Sequence, residues 1–317
     1  MIDKDVTVAI PTYNGANFIE NAIKSVLIQN VKPAFINIID DASTDRTVDV
    51  VREIQVKYPE IKLIINSINL GYQRNWNKCF ETCNTKYLLI LHQDDQLKYN
   101  AINTLKEFLL NNPEYALVGG YEDVKNRERA IISKNTQKST YKYEKGQIYE
   151  FVKNHNSYIT CSSVMFNIEK IRHVGYFDTD VIGTDEIYWP KVLAYYPIAI
   201  LNKALIFRGR HSEQTEYKDF LRYEKDALSI YSKFIRIVDF EERLKYKKKL
   251  RILLRWKFSK SWISIAVYLA KQGEKFKSIK YLSKSFFINP LIIFYYPIIY
   301  KSFIKLIFYL VVIRKKN

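Results

Sequence analysis

The chain has 317 residues, of which 48% are hydrophobic, so it can bury a sizeable core and is not an intrinsically disordered protein. Its net charge of +17 is unevenly placed: residues 1–240 carry 31 basic and 30 acidic residues, whereas residues 241–317 carry 19 and 3. A balanced body with a basic, aromatic tail favours attraction to an anionic membrane surface over nucleic acid, for which the sequence has no recognition motif.

The three cysteines and the N-terminal residues indicate the cellular compartment of the protein. Cys79, Cys83 and Cys161 cannot all pair with one another, and their spacing does not match a zinc site. We therefore expect three reduced thiols in the core. The apolar run near Met1 is too short and too soon interrupted for a signal peptide. The sequence thus predicts a cytoplasmic protein.

Strands and helices alternate along the first 100 residues. The patterns predict strands at Val6–Ile10, Phe35–Ile39, Lys62–Ile65 and Tyr87–Leu91, and helices between Phe18 and Leu27, between Val48 and Ile54, and over Gly71–Cys83. Such alternation is typical of a mostly parallel sheet with helices on its faces.

Polar segments directly follow three of these strands, at Pro11–Asn14, Asp40–Asp45 and His92–Asp95. The C-terminal ends of parallel strands share one edge of the sheet, where ligands bind in α/β proteins. We expect the three segments to meet in one crevice.

The pattern is less regular after Pro113. A further strand is expected at Ala116–Gly119, a mobile loop over the site at 122–147, and renewed order from Ser162 to Phe166. Residues 222–284 are helical in pattern and basic.

The tail beyond residue 284 is apolar, but Pro290 and Pro297 interrupt its uncharged run at 285–300. Amphipathic helices lying in the membrane interface fit this composition better than a spanning helix, which needs about 20 apolar residues. A membrane-spanning segment, an ordinary helical subdomain and a dimer face remain the alternatives.

The polar segments suit a sugar nucleotide. Asp94 and Asp95 can hold a hard divalent cation, Mn2+ or Mg2+, against a departing diphosphate. Asp41 can accept hydrogen bonds from a base or ribose if Ser43, Thr44 or Asp45 caps the following helix and leaves Asp41 free. Arg74 can reach a phosphate, although a solvated helix face explains it nearly as well.

Transfer of a sugar requires a base that takes the proton from the hydroxyl group to which the sugar is added. Asp185 is our candidate and Glu186 the reserve, although acidic residues also occur in first helical turns because of the helix dipole. Arg208 and His211 follow an apolar run and can contribute a cation and an imidazole to the diphosphate or metal.

Four ordered motifs carry a family resemblance. Val8-Ala9-Ile10-Pro11-Thr12-Tyr13-Asn14, Asp40-Asp41-Ala42-Ser43-Thr44-Asp45, Asn69-x-Gly71 with Arg74-Asn75, and Asp94-Asp95 together resemble the family-2 inverting glycosyltransferases of the GT-A fold. The likeness continues more loosely through Ser163–Phe166, Gly183–Trp189 and Arg208–His211. It covers roughly residues 5–215.

The resemblance implies a role for each matching residue. The donor would be bound by Pro11, Thr12, Tyr13, Asp41, Gly71, Arg74, Asp94 and Arg208, the metal by Asp95 and His211, and the acceptor hydroxyl would be deprotonated by Asp185. One position departs from the family pattern: His92 stands where the family often has an acidic residue.

The resemblance and the tail together imply a function. We expect transfer of a sugar, with inversion, from a UDP-sugar to a polyprenyl-diphosphate-linked glycan in capsule, O-antigen or other surface-polysaccharide synthesis. Residues 1–215 would form the catalytic domain and residues 216–317 a helical region holding the protein peripherally on the inner face of the membrane, with a homodimer as a further expectation.

Three other functions are alternatives to this one. A catalytically inactive GT-A scaffold or membrane adaptor stays open because of His92. A sugar-phosphate nucleotidyltransferase and a nicotinamide oxidoreductase are disfavoured, since no glycine-rich phosphate loop follows the first strand.

Overall fold

The computed structural model describes residues 2–124, 139–154, 159–181 and 183–209, and beyond these only short stretches, the longest being 273–289. The chain divides into two compact units, Met1–Ser212 and Glu213–Asn317.

The first unit is built on one mixed sheet. Its strands are β1 (Ile2–Thr12), β2 (Lys32–Asp40), β3 (Ile61–Ile65), β4 (Tyr87–Ile90), β5 (Gln96–Leu97), β6 (Leu117–Val124), β7 (Thr140–Tyr143), β8 (Val164–Asn167) and β9 (Ile198–Arg208). They lie in the order β3-β2-β1-β4-β8-β6-β9-β5, and β7 also pairs with β9.

Helices connect most of these strands. They are α1 (Ile19–Leu27), α2 (Thr47–Lys57), α3 (Tyr72–Glu81), α4 (Ala101–Asn111), α5 (Ile148–Asn154), α6 (Ile168–Val174) and α7 (Thr184–Leu193). A short 3-10 helix at Cys161–Ser163 leads directly into β8.

The four N-terminal strands and the helices between them match the predicted alternation. β1 pairs in parallel with β2 and β4, and β2 with β3, so their C-terminal ends lie along one edge. β1 extends through Pro11 to Thr12, two residues beyond the predicted strand. Thr12 pairs with Asp40 in this register, which aligns the first two polar segments.

The predicted mobile loop at 122–147 is partly wrong. β6 continues to Val124 in parallel with β9, and β7 pairs with β9 in antiparallel register. Both segments are polar, and their strand conformation comes from backbone pairing with β9, a partner distant in sequence. Within the predicted loop, residues 125–138 lie outside the described part of the chain.

Two packed regions hold the sheet. In one, Ile19 and Ile23 of α1 and Leu105 of α4 are buried in a cluster with apolar residues of β1, β2 and β4. In the other, rings from α3, β8, α7 and the segment before α7 form an aromatic cluster of Phe80, Phe166, Phe177, Tyr188 and Trp189. Phe177 lies 4.3 Å from Tyr188 between ring centroids, which ties the segment before α7 to α7 itself. All three cysteines are buried and unpaired, as predicted.

In the second unit, the structure describes α8 (Lys275–Ile288) and helical residues at 262–263 and 265–270. Trp262, Ile265, Leu269 and Tyr281 share a small apolar cluster. Two buried serines pair reciprocally, since each hydroxyl of Ser259 and Ser285 donates to the other residue's carbonyl. Among the described helices, none is both long enough and apolar enough to cross a membrane.

Candidate active site

The loops after β1 and β2 lock together at the sheet edge. The Asn14 backbone N–H donates to Ser43 Oγ at 2.9 Å, and the Thr44 N–H donates to Asn14 Oδ1 at 2.8 Å. Asn14 and Ala42 both have left-handed backbone conformations, with φ values of 47° and 57°. An alanine pays a steric cost in this region, so the surrounding hydrogen bonds hold the loop in a strained form.

Asp45 satisfies the start of α2, as the sequence analysis anticipated for one of the residues at 43–45. Its carboxylate accepts hydrogen bonds from the Thr47 N–H at 2.9 Å and from the Ala16 N–H at 3.1 Å. Asp40 makes a local turn instead, accepting from the backbone N–H of Ser43. Neither helix capping nor this turn uses Asp41.

Asp41 is nevertheless not free of protein partners, which corrects the expectation that it would be. It is 2% exposed, and its Oδ1 accepts from Asn66 Nδ2 at 2.8 Å and from the Leu70 N–H at 2.9 Å. Its Oδ2 accepts from the Gly71 N–H at 2.9 Å. A carboxylate offers about four acceptor positions. Asp41 therefore fixes the loop before α3, and these three hydrogen bonds leave its carboxylate about one acceptor position.

Gln93, which the sequence analysis did not single out, holds the end of β1. Its Oε1 accepts from Thr12 Oγ1 at 2.5 Å and from the Tyr13 N–H at 2.9 Å, while its Nε2 donates to the Tyr13 carbonyl. A Cβ atom at Gly15 would lie 2.2 Å from Gln93 Oε1. The glycine thus leaves room for the amide, and Thr12, Tyr13 and the His92–Asp95 segment meet as predicted.

Pro11 is buried in β1, whereas Tyr13 is exposed beside the loop. Gly71 immediately precedes α3 with a φ of 85°, a conformation that favours glycine. Arg74 lies exposed on the first turn of α3. Its neighbour Asn75 is buried and donates to the Ile39 carbonyl at 2.9 Å, which anchors α3 to the end of β2.

His92, Asp94 and Asp95 form a cluster whose potential ligand atoms all lie within 4.8 Å of one another. His92 Nδ1 is 3.9 Å from Asp95 Oδ2. The His92 ring stacks on Trp76, with the centroids 4.6 Å apart and the planes 19° apart. One imidazole and two carboxylates are a donor set that suits a divalent cation.

Asp95 is the more deeply placed carboxylate, 3% exposed, whereas Asp94 is half-buried. Asp95 Oδ1 accepts from the Gly209 N–H at 3.0 Å. Burial and the nearby Asp94 raise the pKa of Asp95 to about 7, against the opposing effects of hydrogen bonds from Ser162 and Gly209 and of the Arg208 charge. Ser162 Oγ also accepts from the His92 N–H at 3.0 Å, so one hydroxyl links both residues.

Gly209 lies directly against the backbone of Asp94. A Cβ atom there would be 2.0 Å from the Asp94 carbonyl oxygen. The end of β9 can reach the carboxylate of Asp95 only because residue 209 has no side chain. A glycine between two arginines after an apolar run was the signal available in the sequence for this contact.

Arg208, at the end of β9, is held by Glu122 from the neighbouring strand β6. Arg208 Nη1 donates to Glu122 Oε2 at 2.9 Å, and both side chains are largely buried. The Arg208 charge partly opposes the rise in the pKa of both Asp95 and Asp185. One cation thus acts on the two predicted halves of the site, and Glu122 is a further site residue that the sequence analysis missed.

Asp185 and Glu186 lie within the first turn of α7, just after Gly183, whose φ is 70°. Asp185 Oδ1 accepts from the Glu186 N–H at 3.0 Å. Burial, then the nearby Glu186, raises the pKa of Asp185 to about 7, with Arg208 opposing the rise. Asp185 thus lies at the start of a helix, and its raised pKa is what a general base requires.

Thr12, Asp41, Asp95 and Arg208 therefore lie at strand ends along one edge of the sheet, and Gly71 contacts Asp41 there. Arg74 and Asp185 lie in the first turns of α3 and α7, and His211 lies outside the described residues. The profile of the family described as Glycosyl transferase family 2 matches residues 7–172, more than half of the chain. The chain belongs to glycosyl transferase family 2. The enzyme is therefore a glycosyltransferase, as the sequence motifs predicted.

Relatives of the glycosyltransferase support the same assignment. It is 27% identical over 225 residues to an uncharacterized glycosyltransferase of Haemophilus influenzae, covering 66% of this chain and 67% of the relative. It is 25% identical over 290 residues to GalNAc(5)-diNAcBac-PP-undecaprenol beta-1,3-glucosyltransferase of Campylobacter jejuni, covering 88% and 87%.

Solved structures similar to the enzyme confirm the predicted GT-A fold. TarS 1-349 of S. aureus, in complex with UDP-GlcNAc, aligns with a TM-score of 0.54 at 13% identity, covering 96% of this chain and 89% of that one. The mannosyltransferase PcManGT of Pyrobaculum calidifontis, in complex with GDP-Man and Mn2+, aligns with a TM-score of 0.59 at 18% identity, covering 99% and 86%.

Proposed function

We propose that the enzyme transfers a sugar, with inversion, from a nucleoside-diphosphate donor, most simply a UDP-sugar, to a hydroxyl of a glycan acceptor. The observation that carries this proposal is the position of Arg208 at the end of β9. Its charge acts on Asp95, in the candidate metal cluster, and on Asp185, the candidate base. The candidate metal ligand Asp95 and the candidate base Asp185 thus both lie close enough to the Arg208 guanidinium to feel its charge.

The donor half uses the ends of β1, β2 and β4. Thr12, Tyr13 and Asp41 would contact the nucleoside, and Arg74 the ribose-diphosphate portion. The positions of Thr12 and Asp41 are fixed by hydrogen bonds to Gln93 and to the loop before α3, so little rearrangement is needed on binding. A pre-arranged pocket favours a defined nucleotide.

The cluster of His92, Asp94 and Asp95 fits a divalent cation by its donor chemistry. Asp94 and Asp95 would hold Mn2+ or Mg2+, and His211 is a further predicted ligand. When bound, such a cation stabilises negative charge that develops on a departing diphosphate. Donor complexes with UDP-GlcNAc and with GDP-Man and Mn2+ in the two fold neighbours support this use of the site.

Asp185 takes the proton from the acceptor hydroxyl as that oxygen attacks the sugar carbon. A pKa of about 7 suits a general base at neutral pH, since the group is partly ionised and still basic enough to accept a proton. Glu186, its neighbour, is the reserve. One base facing one donor is consistent with a single displacement and hence with inversion of the anomeric carbon.

The acceptor we propose is a polyprenyl-diphosphate-linked glycan of a surface polysaccharide. The Campylobacter jejuni relative carries an undecaprenol-linked acceptor in its name, and it aligns over most of both chains. The basic C-terminal region, with 19 basic and 3 acidic residues over 241–317, suits the anionic surface where a lipid-linked acceptor resides.

Donor titration tests the enzymatic proposal. Isothermal titration of the full chain with a panel of sugar nucleotides, with and without Mn2+, should show binding of one donor that depends on the metal. The double variant Asp94→Asn and Asp95→Asn should lose the metal dependence. Absence of binding to every sugar nucleotide would leave the inactive scaffold as the better account.

We also propose peripheral attachment at the cytoplasmic face of the membrane, and α8 supports it. Phe276 and Phe287 are 92% and 90% exposed and lie about three turns apart on the same stripe of the helix as Lys280. Exposed phenylalanines among lysines are typical of interfacial helices. Flotation with phosphatidylcholine vesicles, with and without phosphatidylglycerol, measures this directly.

The attachment test compares two exposed apolar sites. Full-length Phe276→Ser with Phe287→Ser should reduce binding to anionic vesicles by roughly 100-fold or more, because each phenylalanine buried in the membrane is worth about 1.5–3 kcal/mol. Val56→Ser, at an 85% exposed residue of α2, is the matched control and should bind normally. Equal binding of all three proteins would contradict attachment through α8.

A further inference from the structure

His92 occupies an unusual place in the cluster. It stands where the resembling family often has an acidic residue, yet its ring is directed into the same cluster as two carboxylates. Two ligands bound to one small divalent cation at about 2.1 Å each are separated by at most about 4.2 Å. The 3.9 Å between His92 Nδ1 and Asp95 Oδ2 is within this limit and is too long for a hydrogen bond.

The ring of His92 is also held in place. Trp76 stacks on one face of the imidazole, and Phe177 contacts Trp76 at 5.6 Å between centroids. On the backbone side, the His92 N–H donates to Ser162 Oγ, and Ser162 also hydrogen-bonds Asp95. The imidazole and the Asp95 carboxylate are therefore oriented by shared supports, as the ligands of metal sites commonly are.

We propose that His92 is a nitrogen ligand of the divalent cation, so that the site prefers Mn2+ and other transition metals to Mg2+. This inference rests on the proposed metal-dependent function. Mg2+ strongly favours oxygen ligands, whereas transition-metal ions accept imidazole readily. The acidic residue that the family often has would supply oxygen at this position, whereas His92 supplies an imidazole nitrogen and so adds to the nitrogen content of the donor set.

Pulsed electron paramagnetic resonance of Mn2+ bound to the full, untagged chain with UDP reads the ligand directly. Echo-envelope modulation from 14N should appear in the wild type and change to a 15N pattern when the histidines are labelled with 15N. In His211→Gln the histidine modulation should remain, and adding His92→Gln to that variant should remove it while Mn2+ still binds. Absence of histidine modulation from Mn2+-loaded His211→Gln, or modulation there that His92→Gln does not remove, would overturn the assignment.

His92→Asp gives a second readout by restoring an acidic residue. The ratio of the Mg2+ to the Mn2+ dissociation constant should fall on the order of tenfold, the scale on which even the loss of an outer-shell partner weakens metal sites. An unchanged ratio would count against the inference. His211→Gln is the matched control and should keep the His92 modulation.

The outcomes separate this inference from the proposed function. If the wild type binds Mn2+ with UDP but shows no nitrogen ligand, the assignment of His92 is wrong and the metal-dependent transfer stands. If the wild type binds no Mn2+ in the presence of any nucleotide, both proposals fail together.

Discussion

Gly209 donates its backbone N–H to Asp95 Oδ1 at 3.0 Å, across 114 residues of sequence. The contact joins the end of β9 to the loop after β4, where the candidate cation site lies. It also places Arg208 beside the carboxylates, because Arg208 is the preceding residue. The position of the Arg208 guanidinium therefore depends on Gly209, a residue that has no side chain of its own.

Replacing Gly209 should damage the site. Gly209→Ala introduces a Cβ atom 2.0 Å from the Asp94 carbonyl oxygen, and backbone cannot yield as a side-chain end does. We expect a loss of about 1–3 kcal/mol in the free energy of unfolding and a severe loss of transfer activity. Chemical denaturation and initial rates measure the two effects.

Gly146→Ala is the control for the Gly209 variant. Gly146 has a φ of 86° and no atom within 4 Å of its Cβ position. The change should cost about 1–2 kcal/mol through backbone strain alone and leave activity intact. Equal activity of the two variants would contradict the close-contact argument.

Asp185→Asn should separate chemistry from binding. The amide cannot accept the acceptor's proton, and general bases contribute about 100-fold to 10,000-fold to rate. We expect turnover to fall by that factor while the donor dissociation constant, measured by titration, stays within a few-fold of the wild type. Glu186→Gln is the matched control and should keep most of the activity. A normal rate in Asp185→Asn would show that Asp185 is not the base.

The same residue should affect stability in a pH-dependent way. The pKa of Asp185 is raised from 3.8 to about 7 on folding, so the folded protein holds its proton more tightly than the unfolded chain. Stability linked to this group is complete below about pH 4 and is lost as pH rises towards 7. Asp185→Asn removes this pH-dependent loss of stability, because an amide does not titrate in this range.

Thermal unfolding scans test this linkage. The melting temperature of Asp185→Asn relative to wild type should rise between pH 4 and pH 7 and level off above pH 8. A difference independent of pH would show that the carboxyl group titrates normally. If the predicted pH dependence is found, Asp185→Asn lowers activity and removes a loss of stability at the same residue, a trade-off that is common in active sites.

Arg208→Gln should shift the pH dependence of transfer. Arg208 lowers the pKa of Asp185 and Asp95, so its loss raises both values. The rise of kcat/KM with pH should move to higher pH, because Asp185 must be ionised to act as a base. Arg208→Lys retains a positive charge and should leave the midpoint nearly unchanged. Identical profiles for all three proteins would exclude an electrostatic role for Arg208.

Local patterns predicted the N-terminal half of the fold well. The alternation of strands and helices up to Leu91 and the polar segments after β1, β2 and β4 depend on short-range periodicity and turn chemistry, which a sequence displays directly. The antiparallel β8 and the strand character of 122–124 depend on pairing with β6 and β9, and no local pattern encodes such partners.

The individual site residues divide in the same way. Thr12, Asp41, Asp94, Asp95 and Asp185 were predicted because each carries a reactive or polar group next to a recognisable strand or helix end. Gln93 and Ser162 were missed, because their importance lies in what they hold rather than in their own chemistry. Asp41 was predicted to be free, yet its carboxylate also anchors the loop before α3.

The sequence by itself determined that this protein is a GT-A glycosyltransferase, since ordered motifs at strand ends depend only on the local chain. Only the tertiary structure decided how the site is assembled: Glu122 holds Arg208, Gly209 reaches Asp95, and Trp76 orients His92. These contacts join residues 16 to 114 positions apart. They form because packing of the sheet and helices brings distant segments together, and their energies depend on burial that exists only in the folded chain.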